Sequence, residues 1–174
     1  MDVIFKNIWM LNAFVLLASL PLMTSANGKD KPYCLQQNNY DLYLGQAPTP
    51  GVEVSEAYTS KAKFQQQSNW HYTLIAGTDQ YKIINLYQNF VLAVDKTSAN
   101  TTQARVITRV ATTDDSSNVW TLEVYPSHVY IKNNFNDQYL YAPTTNANNV
   151  AHTSPLPPDG QEPYKWKFID CSIL

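Results

Sequence analysis

The sequence predicts an all-β protein of twelve short strands, arranged as three repeats of about 48 residues. Three observations lead there. Helical periodicity is nowhere sustained, while short runs rich in Val, Ile, Tyr and Phe are separated by clusters of Asn, Gly, Pro, Ser and Thr. A shift of 48 residues carries Leu44 onto Leu92 and Leu92 onto Leu140, and it also carries Leu35 onto Ile83 and Ile83 onto Ile131. Late in each repeat a tryptophan opens an alternating apolar strand: Trp70-His-Tyr72-Thr-Leu74, Trp120-Thr-Leu122-Glu-Val124 and Trp166-Lys-Phe168.

The first segment stands outside this pattern. Residues 8–22 are an almost unbroken apolar run, preceded by Lys6 and followed by Met23-Thr24-Ser25-Ala26. The run is short for a membrane span, and the small residues after it suit a signal peptidase, so residues 1–26 are expected to be a signal peptide cleaved after Ala26. No other stretch is apolar enough to span a bilayer. Residues 27–174 are then one secreted, extracellular domain with repeats at about 31–77, 78–126 and 127–174.

In the second repeat the strands are expected at 80–86, 90–94, 104–110 and 119–124. Gly77-Thr78-Asp79 and Pro126-Ser127 carry the turn chemistry that joins repeats. The tryptophans are 50 and then 46 residues apart, so length changes fall in the polar loop ahead of each, where loops tolerate them. Residues 155–160, Pro-Leu-Pro-Pro-Asp-Gly, cannot run through a strand or helix.

A net charge of −2, without a run of Lys or Arg, excludes the concentrated basic surface that nucleic acid requires. Cys34 and Cys171 stand near opposite ends of the mature chain, and export would expose them to an oxidising compartment, so they are expected to pair. Asn100-Thr101-Thr102 is a glycosylation sequon in a polar stretch, making Asn100 a candidate glycan carrier.

Catalytic patterns are absent from the sequence. His71, His128 and His152 lack metal-ligand spacing and read as solvated surface residues, and no metal site or cofactor is expected. There is no nucleophile elbow and no phosphate-cradling loop, and five glycines serve the whole chain. Asp114-Asp115 and the pair Glu53 and Glu56 read as solvated charge, without the framework that would raise one carboxyl's pKa. A binding protein is expected, not an enzyme.

Three repeats of this length with a late tryptophan in each resemble the ricin-type β-trefoil family over the whole mature chain. The resemblance implies six strands closed into a barrel and six forming capping hairpins, with the first and last strands adjacent. That closure would bring Cys34 and Cys171 together. An eight-stranded lipocalin barrel has no threefold period. The resemblance also implies shallow carbohydrate sites built from an acidic residue after the second strand, an aromatic platform and nearby amides.

The family's motif is altered in every repeat. Where its pattern is Gln-x-Trp, the first position holds Ser68, Asn118 and Tyr164, and where it places aspartate after the conserved-pattern leucine stand Gly45, Ala93 and Tyr141. The expected ligand contacts are therefore Asp95 with Asn100 in the second repeat, or Tyr139 and Tyr141 with Asn146 in the third. The partner expected is a carbohydrate or glycoprotein. The alternatives are a trefoil-type protease inhibitor, with Lys61 or Lys63 in its reactive loop, and a venom, salivary or cytokine-like effector acting on a protein target.

Overall fold

Alternating apolar residues and left-handed turn residues build a set of short hairpins. The computed structural model describes residues 31–48, 51–61, 66–98, 102–111, 115–143, 149–156 and 161–171. The expected signal peptide, Asn100, Asn146, Lys63 and Asp114 lie outside them.

Thirteen strands occur among the described residues. They are β1 (Tyr33–Gln37), β2 (Tyr43–Gln46), β3 (Val54–Ser60), β4 (Trp70–Leu74), β5 (Gln80–Asn85), β6 (Phe90–Val94), β7 (Ala104–Val110), β8 (Trp120–Val124), β9 (Val129–Asn133), β10 (Tyr139–Tyr141), β11 (Asn149–Val150), β12 (His152–Ser154) and β13 (Trp166–Asp170). Within the second repeat, the first strand stops at Asn85 and the last begins at Trp120, one residue inside the expected limits.

Antiparallel pairing runs β1 to β4, β4 to β5, β5 to β8, β8 to β9, β9 to β13 and β13 back to β1, closing a ring of six strands. Closure removes the edges that an open sheet would expose. The hairpins β2–β3, β6–β7 and β10–β12 lie outside this ring. The first hairpin turn of each repeat carries one residue with positive φ, Asn39 (61°), Asn89 (57°) and Asp137 (59°), and Asn and Asp tolerate that region better than other side chains bearing a Cβ.

Twelve strands become thirteen because the third strand of the last repeat divides at Ala151. Its two halves serve different partners, β11 pairing β3 and β12 pairing β7 and β10. The Ala151 N–H donates to the Ala57 carbonyl oxygen at 2.8 Å, and the Val106 N–H donates to the Ala151 oxygen at 2.9 Å. Three repeats thus meet backbone to backbone at Ala57, Val106 and Ala151, all fully buried.

The core repeats the same threefold logic. Leu35, Ile83 and Ile131 are fully buried, as are Leu44, Leu92 and Leu140. So are the three tryptophans, whose polar edge is satisfied identically in each repeat. Trp70 Nε1 donates to the Leu44 oxygen at 2.9 Å, Trp120 to Leu92 at 2.9 Å and Trp166 to Leu140 at 3.1 Å. Tyr72, Leu122 and Phe168, two residues beyond each tryptophan, pack against the same core. β1 and β13 are neighbours, and Cys34 and Cys171 are bonded with Cα atoms 5.6 Å apart. No helix among the described residues is long and apolar enough to cross a membrane.

Candidate functional site

The two positions at which the motif is altered face each other in the first and third repeats. A Cβ placed on Gly45 would lie 3.4 Å from Ser68 Oγ and 3.6 Å from Tyr58 Cε1. In the third repeat the matching residues are Tyr141 and Tyr164, whose ring centroids are 5.0 Å apart at 45°. Tyr141 pairs across the hairpin with His152, and Tyr164 ends the 3₁₀ turn Glu162–Tyr164 that precedes Trp166. Two tyrosines therefore replace the acid and amide of the family pattern.

Polar groups flank this pair. Glu162 accepts from Asn38 Nδ2 at 3.1 Å, Asn39 Nδ2 at 2.8 Å and Lys165 Nζ at 2.8 Å. The Lys165 ammonium is the largest of the influences that hold the Glu162 carboxyl below its ordinary pKa. Asn38 is buried, and its Oδ1 has no hydrogen-bond partner among the described residues. His152 is half-buried, and burial followed by the nearby Arg105 cation lowers its pKa.

Asp95 takes a different role. Its Oδ1 accepts from the Thr97 N–H at 3.0 Å and the Thr97 hydroxyl at 2.7 Å, while Oδ2 accepts from Arg105 Nε at 3.1 Å and Nη2 at 2.6 Å. Burial alone would raise the Asp95 pKa, yet these hydrogen bonds and the Arg105 charge hold it below the usual value. Oδ1 thus shapes the turn Lys96–Ser98, and Oδ2 is held by Arg105 of β7. Strands β7 and β12 lie between Asp95 and Tyr141, so the two are not brought into one site.

Tyr139 shares the outer face of β10 with Tyr141, since Leu140 between them points into the core. Its hydroxyl donates to Glu123 Oε1 at 3.0 Å, and burial together with that carboxylate pushes its pKa up to about 12. The Lys132 amine lies 5.7 Å from the Tyr139 ring centroid.

Two sequence expectations are corrected. Asp115 is not a solvated charge: its Oδ2 accepts from Arg109 Nη2 at 2.7 Å and Lys96 Nζ at 2.9 Å, and its Oδ1 caps the turn Ser116–Asn118 through the Ser117 N–H. The three histidines are half-buried instead of solvated, because strand pairing covers His71 and His152 and Tyr125 stacks on His128. Tyr164, Glu162 and Asn38 were not expected at a site. Only Tyr164 had a local signal, its place two residues before Trp166.

No family model matches the chain, and no curated protein matches it. Solved structures do share its fold. The designed 3-fold symmetric protein ThreeFoil is similar over 80% of this chain and 98% of its own, with a TM-score of 0.71 and 14% identity. The Polyporus squamosus lectin, solved with a human-type influenza-binding epitope, is similar over 81% of this chain and 49% of its own, with a TM-score of 0.63 and 12% identity. A salivary protein of Culex quinquefasciatus from the cysteine and tryptophan-rich family is similar over 82% of this chain and 94% of its own, with a TM-score of 0.62 and 16% identity. The chain spans about half the length of the lectin it matches. At these identities the likeness establishes the β-trefoil fold.

Proposed function

We propose that the protein is a secreted, non-enzymatic binding protein that recognises carbohydrate on glycans or glycoproteins through its third repeat. The observation that carries this reading is the Tyr141–Tyr164 ring pair at the two altered motif positions. Aromatic faces remove the C–H surface of a sugar from water, while Glu162 and His152 offer polar groups to its hydroxyls. The Cys34–Cys171 bond supports an oxidising, extracellular setting. Carboxylates held at lowered pKa, as Asp95, Asp115 and Glu162 are, suit recognition better than proton donation, which needs a raised one.

One shallow site should bind in the millimolar to high micromolar range, because little surface is buried. Titration of galactose-, mannose- and N-acetylglucosamine-containing glycans followed by NMR tests the reading. Chemical-shift changes should centre on Tyr141 and Tyr164 and vanish in Tyr141→Ala. Absence of binding across the panel would sink it in favour of inhibition or an effector role.

A further inference from the structure

The outer face of β8, β9 and β10 carries a row of rings that the third-repeat site does not by itself explain. Strand alternation places Tyr125, Tyr130, Tyr139 and Tyr141 on this one face, because Leu122, Ile131 and Leu140 point the other way. Tyr125 is 48% exposed and lies flat on His128, with centroids 5.1 Å apart and planes 5° apart. Tyr130 touches Tyr125 at 5.3 Å and Tyr139 at 6.1 Å. Tyr139 and Tyr141 are two residues apart, about 7 Å along a strand. The row then ends on Tyr164.

The fold does not require these rings, and its own symmetry shows it. Tyr125 lies five residues beyond its tryptophan, where the other repeats have Ile75 and Cys171. The 48-residue shift matches Tyr130 to Lys82 and Cys34, and Tyr141 to Ala93 and Gly45. Tyr139 matches Val91 and the buried Tyr43, while the other three positions are filled by Ile75, Lys82 and Ala93 in one copy and by Cys171, Cys34 and Gly45 in another. The same backbone is therefore built without the row of rings in both other copies.

We infer that this face is an extended binding track for an oligosaccharide, with Tyr125, Tyr139 and Tyr141 each stacking on a successive sugar ring. The inference rests on the carbohydrate reading of the Tyr141 site and extends it to a ligand of at least three units. Charged side chains border the face and do not occupy the rings: Lys132 meets Asp137 at 2.6 Å, and the Glu123 carboxylate accepts from the Tyr139 hydroxyl. Mostly buried, at 7% exposure, Tyr130 serves as the floor that fixes the spacing of the exposed rings.

The test is a length series on the whole mature chain. Galactose and β-galacto-oligosaccharides of two to four units, and N-acetylglucosamine with the matching chito-oligosaccharides, would be titrated by NMR and calorimetry. In one series the trisaccharide should bind at least about fivefold more tightly than the monosaccharide, since two further rings are stacked. Tyr125→Ala should remove the gain between two and three units, while Tyr141→Ala should weaken every length. Tyr125 is exposed enough to be truncated without loss of fold, and Tyr125→Phe should keep the length dependence. Monosaccharide binding lost in Tyr141→Ala but with no dependence on length overturns the track and leaves the site standing. Failure of every saccharide to bind overturns both.

Discussion

The side-chain amide of Gln37 on β1 donates to the Pro163 carbonyl oxygen in the last repeat, at 3.1 Å. The same clasp recurs one and two repeats on, where Asn85 Nδ2 donates to the Gln67 oxygen at 2.8 Å and Asn133 Nδ2 to the Ser117 oxygen at 2.9 Å. Each fully buried amide holds the 3₁₀ turn of the preceding repeat, and Gln37 closes the circle. Asn133→Ala would leave the Ser117 oxygen and the Phe135 N–H without this partner and would take one of two donors from the Val119 oxygen. It should cost roughly 2–4 kcal/mol, measured by urea unfolding with an unchanged m-value.

The Cys34–Cys171 bond closes 137 residues of chain. In the chain-entropy model such a closure stabilises by about 5 kcal/mol. Reduction should lower the calorimetric Tm by several degrees yet leave the far-UV spectrum of a β protein, since the apolar core remains intact. Loss of all structure on reduction would contradict this.

Gln46 is fully buried at the position that Val94 and Ala142 occupy in the other repeats. Its Nε2 donates to Gln88 Oε1, while its own Oε1 has no partner among the described residues. Gln46→Met keeps the length of the side chain and removes the stranded carbonyl, so it should stabilise by about 1 kcal/mol. A lower urea midpoint for the variant would refute the argument.

Acid should weaken the fold in two stages. Burial lowers the pKa of His128, helped by Lys165 and Lys167 and opposed by Glu162, and burial with Arg105 lowers that of His152. The unfolded chain then takes up protons first, near 6.5, so stability that is complete above that pH falls as pH drops through it. Asp95, Asp115 and Glu162, all lowered, add a second loss as pH falls below about 4. Thermal midpoints from pH 8 to 3 should show both steps, and His128→Gln with His152→Gln should flatten the first.

Asp95 shapes a turn, so its removal should act on stability and not on recognition. Asp95→Ala leaves the Thr97 N–H uncapped and Arg105 without its bidentate partner. A loss of about 1–2 kcal/mol is expected. Glycan titration should be unchanged, and weakened binding would return Asp95 to the site.

The apolar half of this architecture was readable in the sequence, because leucines and tryptophans that recur at a fixed period can serve only one symmetric core. Gln37, Asn85 and Asn133 recur at the same 48-residue spacing, but a polar side chain carries no mark of burial until its carbonyl partners arrive from another repeat. The break at Ala151 was hidden for a similar reason, since it depends on which two strands meet there. At the site, alternation alone put Tyr139 and Tyr141 on one face. The approach of Tyr164, 23 residues beyond Tyr141, and the capture of Asp95 by Arg105 are tertiary events with no local pattern.

The junction at Ala57, Val106 and Ala151 bears on cooperativity. In a linear array each module touches only its neighbours and can fray from an end. Here the backbone groups of each repeat are completed by both others, and peeling away any one hairpin strands buried N–H and carbonyl groups on the remaining pair. The three repeats are thus separable in sequence but not in energy: the molecule gains no stable two-thirds form, and it opens as a whole or not at all.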